Sequence, residues 1–220
     1  MRPMLLNGEW QLGAAGAETI ASANPATGQR LSARYPIASW IEIEQALEAA
    51  QQAVEALVDF PPEGIAEFLE TYAANIEIAG EALVEMAHLE TALPKEPRLL
   101  SVELPRTTNQ LRQAANAVRD HSWRTATIDT QTNIRSIYGP LAGPVVIFGP
   151  NNFPFAFNSI AGGDFAAAIA AGNPVIAKAH PGHLGTTHLL AEAAFKAVQS
   201  ANLPPAMVQM VYHLNPSDGL

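Results

Sequence analysis

Apolar residues recur every three or four positions through much of the first 120 residues, which is the spacing of one buried face of an α-helix. Ser39 and Glu42 form the capping-box pattern that opens a helix, and the proline pair at 61–62 ends it. Three further helices are predicted, after these prolines, after Gly80 and from about residue 97 to 119. Pro105 predicts a kink or break in the last one because it removes a backbone hydrogen bond. The residues predicted to face inward are Ile43, Leu47, Ala50, Val54 and Leu57 of the first helix, Ile65, Phe68, Leu69, Tyr72 and Ile76 of the second, Leu83, Met86 and Ala87 of the third, and Leu111, Ala114, Ala115 and Val118 of the fourth.

Extended segments are predicted on both sides of this helical region. Asn7-Gly8 between Leu6 and Trp10 is a hairpin signal, and residues 24–28 (NPATG) form a second turn cluster. Residues 123–138 alternate threonine or isoleucine with other residues, as strands do. Because no partner for them is evident nearby in the sequence, we expect them to pair with another segment or with another subunit.

From residue 140 onward, short apolar strands alternate with helices. Strands are predicted at 145–148, 174–178 and 207–212, with helices at 161–171 and 186–200 between them. Continuous apolar strands joined by helices indicate a parallel sheet covered on both faces, so the fold class is α/β. We therefore divide the chain into residues 1–120, the extended segment 121–139 and the strand–helix unit 140–220.

Composition and charge narrow the functional classes. The net charge of −9 with scattered basic residues disfavours nucleic-acid binding, and no apolar run approaches the roughly 20 residues of a membrane span. The N-terminus lacks the apolar core of a secretion signal, so we expect a cytoplasmic protein. The 220 residues include no cysteine, which excludes disulfides, cysteine metal sites and a thiol nucleophile from this sequence.

Two segments that follow predicted strands carry unusual residues. Ligands of parallel α/β sheets bind beyond the carboxyl ends of the strands, and these ends are followed here by residues 149–154 and 178–183. Neither segment has the G-x-G-x-x-G dinucleotide fingerprint or the G-x-x-x-x-G-K-[ST] phosphate loop. On the residues alone, Asn152 is more simply a turn-capping asparagine and Lys178 a solvated lysine. Composition and spacing alone therefore predict only an α/β unit of the nucleotide-binding type with an unusual loop.

The motif Asn152-Phe153-Pro154, followed by the stretch AAGNPVIAK that ends at Lys178, is similar to motifs of the aldehyde dehydrogenase superfamily. Further matching stretches occur in the same order as in that family, namely NGEW at 7–10, NPATG at 24–28, ETAL at 90–93 and GPLAGP at 139–144. More narrowly, NFPFAF at 152–157, AGGD at 161–164, KAHP at 178–181 and the segment 106–112 resemble the α-ketoglutaric semialdehyde (2,5-dioxopentanoate) dehydrogenase branch. The resemblance covers essentially the whole chain and implies an incomplete, Rossmann-like cofactor domain.

The resemblance also assigns roles to residues of both segments. In the family, the amide N–H of the asparagine at the Asn152 position stabilises the oxyanion that forms when a cysteine attacks the aldehyde. The lysine at the Lys178 position binds the adenosine ribose hydroxyls. The other cofactor-contacting positions that the resemblance implies are Phe148, Gly149, Pro150, Asn151, His180, Pro181 and Gly219.

Pro181 stands where many NAD-using members carry a glutamate that binds the ribose 2′-hydroxyl. Without that carboxylate a 2′-phosphate is not repelled, so NADP is the expected cofactor, with NAD possible. His180 beside it would add positive charge when protonated. The family uses no metal, and His180, His183 and His188 are better explained as surface histidines than as metal ligands.

Three residues are implied to line the substrate tunnel. Arg106 aligns with a tunnel helix, where a guanidinium would form a bidentate pair with the distal carboxylate of a dicarboxylic semialdehyde. Pro105 replaces the small residue that usually precedes it, and a solvated helix-end arginine is the simpler alternative. Phe153 and Phe157 match positions in the tunnel wall, although aromatic residues near a strand end are as often core residues.

The sequence also departs from a complete family member, which is more than twice as long. The F-T-G-S loop, the general-base glutamate and the cysteine nucleophile are missing, so the chain is expected to be the N-terminal half of the enzyme and inactive alone. A homo-oligomer is expected for the full-length form, with residues 121–139 as bridging strands. A sheet of three parallel strands would leave an open edge, so the isolated chain is expected to be poorly stable or to associate. The alternative is a non-catalytic remnant that contacts a nucleotide or a partner subunit.

Overall fold

The computed structural model describes residues 1–214, in which strands and helices surround a continuous hydrophobic core. The helical segments are α1 (Trp40–Leu57), α2 (Pro62–Ile78), α3 (Gly80–Thr91), a π-helical segment (Lys95–Glu103), α4 (Leu104–Asp120), α5 (Gly163–Ala170) and α6 (Leu184–Ser200). The strands are β1 (Met4–Leu6), β2 (Glu9–Gln11), β3 (Thr19–Ile20), β4 (Tyr35–Ala38), β5 (Thr127–Asp129), β6 (Ile134–Ser136), β7 (Val145–Phe148), β8 (Val175–Lys178), β9 (Val208–Val211) and β10 (His213–Leu214). The α/β class and the strand–helix order after residue 140 are confirmed.

Local sequence signals account for some helix boundaries. Ser39 caps α1, and the reciprocal hydrogen bonds with Glu42 complete the predicted capping box. Gly172, with φ of 86°, follows the end of α5 as predicted.

The backbone stays right-handed helical from Glu103 to Leu104, and Pro105 lies in the first turn of α4, where a missing N–H breaks no helical hydrogen bond. The departure from helical angles lies earlier, at Glu96, so the break expected at Pro105 is not seen there.

The buried face of α2 is the predicted one, whereas the face of α1 is rotated. All five predicted inward residues of α2 are buried. In α1, Ile43, Leu47 and Val54 are only partly buried, and the deepest positions belong mainly to alanines. Gln209 of β9 donates a hydrogen bond to the carbonyl oxygen of Ala46 at 2.8 Å. Small residues permit this close approach of α1 to the sheet, which an apolarity pattern does not reveal.

The main sheet has five strands in the order β2-β1-β9-β8-β7. Strands β7, β8 and β9 are parallel, and β1 joins the β9 side in an antiparallel manner. The predicted Asn7-Gly8 hairpin links β1 to β2. Within residues 1–214, the parallel part therefore has one covered edge, at β9, and one open edge, at β7.

The strands in residues 123–138 pair with each other, so a partner does lie nearby in the sequence, and within residues 1–214 they do not pair with a distant segment. Pairing with another subunit stays a prediction. Thr127 lies opposite Ser136, and Asp129 lies opposite Ile134. Asp129 stabilises the connecting turn, because its carboxylate accepts hydrogen bonds from the backbone N–H groups of Gln131 and Thr132. A short loop can thus close a hairpin without the Asn-Gly or Asp-Gly signal.

A further small sheet has the order β10-β4-β3 and lies next to the end of β9. Among residues 1–214, no helix is both long and apolar enough to cross a membrane.

Candidate active site

The carboxyl ends of β7 and β8 lie side by side, so the two unusual segments of the sequence meet in space. The strands are parallel neighbours, with Phe148 opposite Lys178 at their ends. Residues 149–154 continue from one strand and residues 178–183 from the other. This edge of the sheet is where α/β proteins bind their ligands.

Direct contacts join the two segments. His183 Nε2 lies 2.9 Å from the carbonyl oxygen of Pro150. A Cβ atom on Gly182 would clash with Asn151 Oδ1, so a larger residue there would displace the Asn151 side chain. The loops consequently form one surface.

The Asn152 loop folds back on the chain that follows it. A Cβ atom on Gly149 would lie 2.8 Å from the backbone nitrogen of Ser159, so glycine is required here. The buried Asn158 side chain donates to the carbonyl oxygen of Pro154 at 2.8 Å and accepts from the Ile160 N–H at 3.1 Å. Asn158 was not predicted as a site residue, because nothing in its sequence neighbourhood distinguishes it from a surface turn residue.

Asn152 itself is exposed at the tip of this loop. Its carbonyl oxygen accepts a hydrogen bond from Arg98 Nη2 at 2.9 Å. Within residues 1–214 its side-chain carboxamide makes no hydrogen bond, so the turn-capping explanation is not supported by the structure. The next residue, Phe153, packs edge-on against Phe157 with ring centroids 5.0 Å apart.

The buried carboxylate of Glu103 holds the Asn152 loop through hydrogen bonds to its backbone. The Glu103 side chain has no exposed surface, and it pairs with Arg98. Its Oε1 atom accepts hydrogen bonds from the backbone N–H groups of Phe155 at 2.8 Å and Ala156 at 3.0 Å. Neither Glu103 nor Arg98 was predicted as a site residue, since a charged residue near a helix start is usually solvated.

Arg106 lies over the same aromatic pair from the other side. Its guanidinium carbon is 5.0 Å from the centre of the Phe157 ring and 5.8 Å from that of Phe153. In the part of the chain that is described, Arg106 forms no ion pair, whereas the neighbouring Arg98 is neutralised by Glu103. Arg106 is thus a cation at this surface whose charge is not neutralised by another residue in the described range.

Lys178 is half-buried at the end of β8, and burial lowers its pKa below the usual value for lysine. No residue between 1 and 214 accepts a hydrogen bond from its ammonium group. Nearby, the His213 Nδ1 atom is buried and likewise has no partner in this range. Two polar groups without partners at a strand end are suited to hydroxyl or phosphate oxygens of a ligand.

His180 is held as a neutral hydrogen-bond donor. Its Nδ1 atom accepts the backbone N–H of Gly182 at 3.0 Å, which places the proton of the neutral ring on Nε2. Burial is the main cause that lowers its pKa, with smaller contributions from His183 and Lys178. The positive charge expected from this residue is therefore disfavoured at neutral pH.

The other two histidines are not surface residues, so the prediction of their exposure was wrong. His183 is fully buried and stacks on His180 with ring centroids 5.3 Å apart. His188 is 3% exposed, and its Nδ1 atom lies 2.7 Å from the Tyr212 hydroxyl. Residues 1–214 contain no group of three or more histidine, aspartate or glutamate side chains that could hold a metal ion.

Two further predicted cofactor positions, Phe148 and Pro181, have exposed side chains. Phe148 is 68% exposed and Pro181 is also exposed, so both side chains are accessible at this surface. Gly219 lies outside the described residues.

Comparison with known proteins places this chain in a family. The model of the aldehyde dehydrogenase family matches residues 10–218, which is nearly the full sequence. The chain belongs to the aldehyde dehydrogenase family, as the motifs implied.

Particular relatives agree with the narrower resemblance. Alpha-ketoglutaric semialdehyde dehydrogenase 2 of Azospirillum brasilense is 40% identical over 94% of this chain and 40% of its own length. The alpha-ketoglutaric semialdehyde dehydrogenase of Acinetobacter baylyi is 38% identical over 90% of this chain and 39% of its own length. The chain therefore spans about 40% of the length of these curated relatives.

Solved structures show the same fold. The NADP complex of NADP-dependent glyceraldehyde-3-phosphate dehydrogenase from Bacillus halodurans gives a TM-score of 0.78 at 24% identity, covering 96% of this chain and 43% of the other. A Thermus 1-pyrroline-5-carboxylate dehydrogenase with bound NAD gives 0.81 at 24% identity, covering 97% and 39%.

Proposed function

We propose that this chain forms the N-terminal part of an NADP-linked dehydrogenase that oxidises α-ketoglutaric semialdehyde to the dicarboxylate. The observation that carries the proposal is the meeting of the Asn152 and Lys178 loops at the carboxyl ends of neighbouring parallel strands. One loop offers an amide donor and the other a cation, while a free guanidinium lies beside them. These are the groups needed to bind a charged aldehyde next to a nucleotide.

Asn152 supplies the electrostatic contribution. When a nucleophile attacks an aldehyde carbon, negative charge develops on the oxygen, and a preorganised N–H donor stabilises it by about 3–4 kcal/mol. The Asn152 carboxamide is exposed and has no partner in the described range, so its N–H is available for this oxygen. The thiol nucleophile is absent from these 220 residues, and we propose that a further part of the enzyme supplies it.

The residues at the end of β8 fit an adenosine ribose that carries a 2′-phosphate. When bound, NADP accepts the hydride that the aldehyde carbon loses. The partly buried Lys178 would meet the ribose or phosphate oxygens, and the neutral His180 would donate through Nε2. Pro181 places no carboxylate there to repel the phosphate. The backbone from Phe148 to Asn151 would form the neighbouring wall, and NAD is the second cofactor that this site would admit.

Arg106 is the proposed site for the distal carboxylate of the substrate. Its guanidinium is exposed, has no ion-pair partner in residues 1–214 and rests on Phe157. Planar guanidinium groups bind carboxylates with two parallel hydrogen bonds. Phe153 and Phe157 would enclose the carbon chain of the substrate between this arginine and Asn152.

The cofactor assignment can be tested on the 220-residue chain with two fragments, 2′,5′-ADP and 5′-AMP, by titration calorimetry. The wild-type chain should bind 2′,5′-ADP at least as tightly as 5′-AMP. Pro181→Glu should weaken 2′,5′-ADP about tenfold or more, because the added carboxylate repels the 2′-phosphate and competes with it for Lys178, whose charge-assisted contact would contribute about 1.5–3 kcal/mol. It should not weaken 5′-AMP. Pro61→Glu, at the start of α2, adds the same charge elsewhere and should change neither. If the ratio of the two affinities is unchanged in Pro181→Glu, this loop does not contact the 2′-position of the ribose.

Activity separates the proposal from its alternative, a non-catalytic module that contacts a nucleotide or partner subunit. The absence of cysteine favours an inactive chain on its own, so no NADPH should form from α-ketoglutaric semialdehyde. NADPH formation that persists after repurification and disappears in Asn152→Ala would contradict the predicted inactivity of the chain alone. If the reading frame past codon 220 encodes F-T-G-S and a later cysteine, the dehydrogenase is supported. A stop codon there would support the alternative.

A further inference from the structure

We propose that Glu103 and Arg98 are positioning residues that hold the Asn152 side chain in its functional direction. The role rests on the function proposed for Asn152. Its physical part concerns the order of the loop, which can be measured without substrate or nucleotide.

The Glu103 carboxylate holds the C-terminal side of the loop. Oε1 accepts the consecutive N–H groups of Phe155 and Ala156, which are the first backbone groups after Pro154. Proline has no N–H, so this stretch cannot be fixed through residue 154 itself. A carboxylate with no exposed surface is the group that fixes it instead.

Arg98 links the Glu103 carboxylate to the backbone of Asn152. One end of its guanidinium pairs with Glu103 Oε2, and the other donates to the carbonyl oxygen of Asn152 at 2.9 Å. The same group lies 4.5 Å above the centre of the Phe153 ring. Two side chains from one helical segment thus contact four of the five residues between 152 and 156.

This arrangement is more specific than stability requires. A buried ion pair contributes little net stability compared with apolar residues of similar size, because both charges lose their hydration. The guanidinium, however, has fixed planar geometry, and it can bind a carboxylate and a carbonyl oxygen at once. Such a group fixes the direction of the Asn152 peptide, and therefore limits where its side chain can point.

Glu90 provides a matched control. It is 3% exposed and also accepts two consecutive backbone N–H groups, from Gly185 and Thr186, both at 2.8 Å. It makes no contact with the Asn152 loop and has no arginine partner within residues 1–214. Replacing it removes a buried carboxylate of the same kind at the start of α6.

The experiment compares Glu103→Gln, Glu90→Gln, Arg98→Met and Arg98→Lys in the 220-residue chain. Hydrogen exchange measured by mass spectrometry reports the backbone, and ¹⁵N relaxation of asparagine-labelled protein reports the Asn152 carboxamide, assigned with Asn152→Asp. Glu103→Gln should accelerate exchange at Phe155 and Ala156 about tenfold or more, the equivalent of about 1.4 kcal/mol. Glu90→Gln should instead accelerate exchange near Gly185.

The arginine variants test the link to Asn152. Arg98→Met keeps an apolar stem over Phe153, so it should fold, but the Asn152 carboxamide should become more mobile. Arg98→Lys retains the charge that pairs with Glu103 but loses the planar guanidinium. The N–H groups of Phe155 and Ala156 should therefore stay protected from exchange, while the Asn152 carboxamide should still become mobile. The proposal is overturned if the carboxamide is equally rigid in wild type, Arg98→Met and Glu103→Gln. It is also overturned if Glu90→Gln mobilises Asn152 as much. Nucleotide titration is independent of this result, so failure here leaves the cofactor proposal standing.

Discussion

The two edges of the parallel sheet differ sharply. On the β9 side, β1 pairs with the edge, and its residues Met4, Leu5 and Leu6 are at most 3% exposed. On the β7 side, no strand within residues 1–214 pairs with the edge, and Val146 and Phe148 are 45% and 68% exposed. One edge is closed by a hairpin from the far end of the chain, while the other is bare.

The difference shows on which side of the sheet the candidate site lies. In doubly wound sheets the first strand is central, later strands pair on its second side, and ligands bind at this switch point. β7 is the first parallel strand, and the Asn152 loop leaves from its end. Within residues 1–214, the open edge therefore lies on the switch-point side of β7, beside the proposed site.

The largest expected effect is on stability at the closed edge. Leu5→Ala should lower the free energy of unfolding by about 2–5 kcal/mol, because Leu5 is fully buried beside β9. Val146→Ala at the open edge should change it by less than about 1 kcal/mol, since much of Val146 is already in contact with water. Urea unfolding of both variants measures the difference. Equal losses would mean that the β7 edge is covered in solution.

Association should depend on the open edge. A bare strand with apolar side chains pairs readily with other chains, and an edge lysine opposes this. Val146→Lys should weaken self-association of the 220-residue chain about tenfold in sedimentation experiments, an effect of about 1.4 kcal/mol. Ile128→Lys, on the exposed β5–β6 hairpin, is the comparison. If only Ile128→Lys dissociates the chain, the hairpin mediates association, in line with the bridging role predicted for residues 121–139.

The smallest expected effect is on the pH dependence of stability. Burial is the main cause that lowers the pKa of His180, His188 and His213 below the ordinary histidine value. The folded state then binds fewer protons than the unfolded state, so stability is full above about pH 6.5 and falls as the pH drops below it. Urea unfolding at pH 7.5 and 5.5 should show this decrease.

His188→Gln and His180→Gln should each flatten this dependence. Burial lowers the pKa of both histidines, although the nearby Glu192 carboxylate opposes the effect at His188. Carboxylates such as Glu77, whose pKa is lowered mainly by its hydrogen bond to Arg112, lose their contribution only at more acidic pH. A stability that is constant between pH 7.5 and 5.5 would contradict the depressed histidine pKa values.

The sequence by itself determined the features that depend on near neighbours. The capping box at Ser39, the apolar stripe of α2 and the Asn7-Gly8 hairpin were all predicted, since their partners lie within a few residues. The strand–helix alternation after residue 140 placed the Asn152 and Lys178 loops at the same edge of a sheet. Family motifs suggested the proposed roles of these residues, which periodicity alone does not indicate.

Only the tertiary structure decided how distant segments combine. Leu5 pairs with Met210 across some 200 residues, and Glu103 reaches the amides of Phe155 and Ala156 across about 50. A glutamate that will be buried and one that will be solvated look alike in a sequence, as do surface and core histidines such as His183. The distinction depends on which hydrogen-bond donors and apolar surfaces surround a side chain after folding. Because these partners are distant in the sequence, local patterns do not identify them.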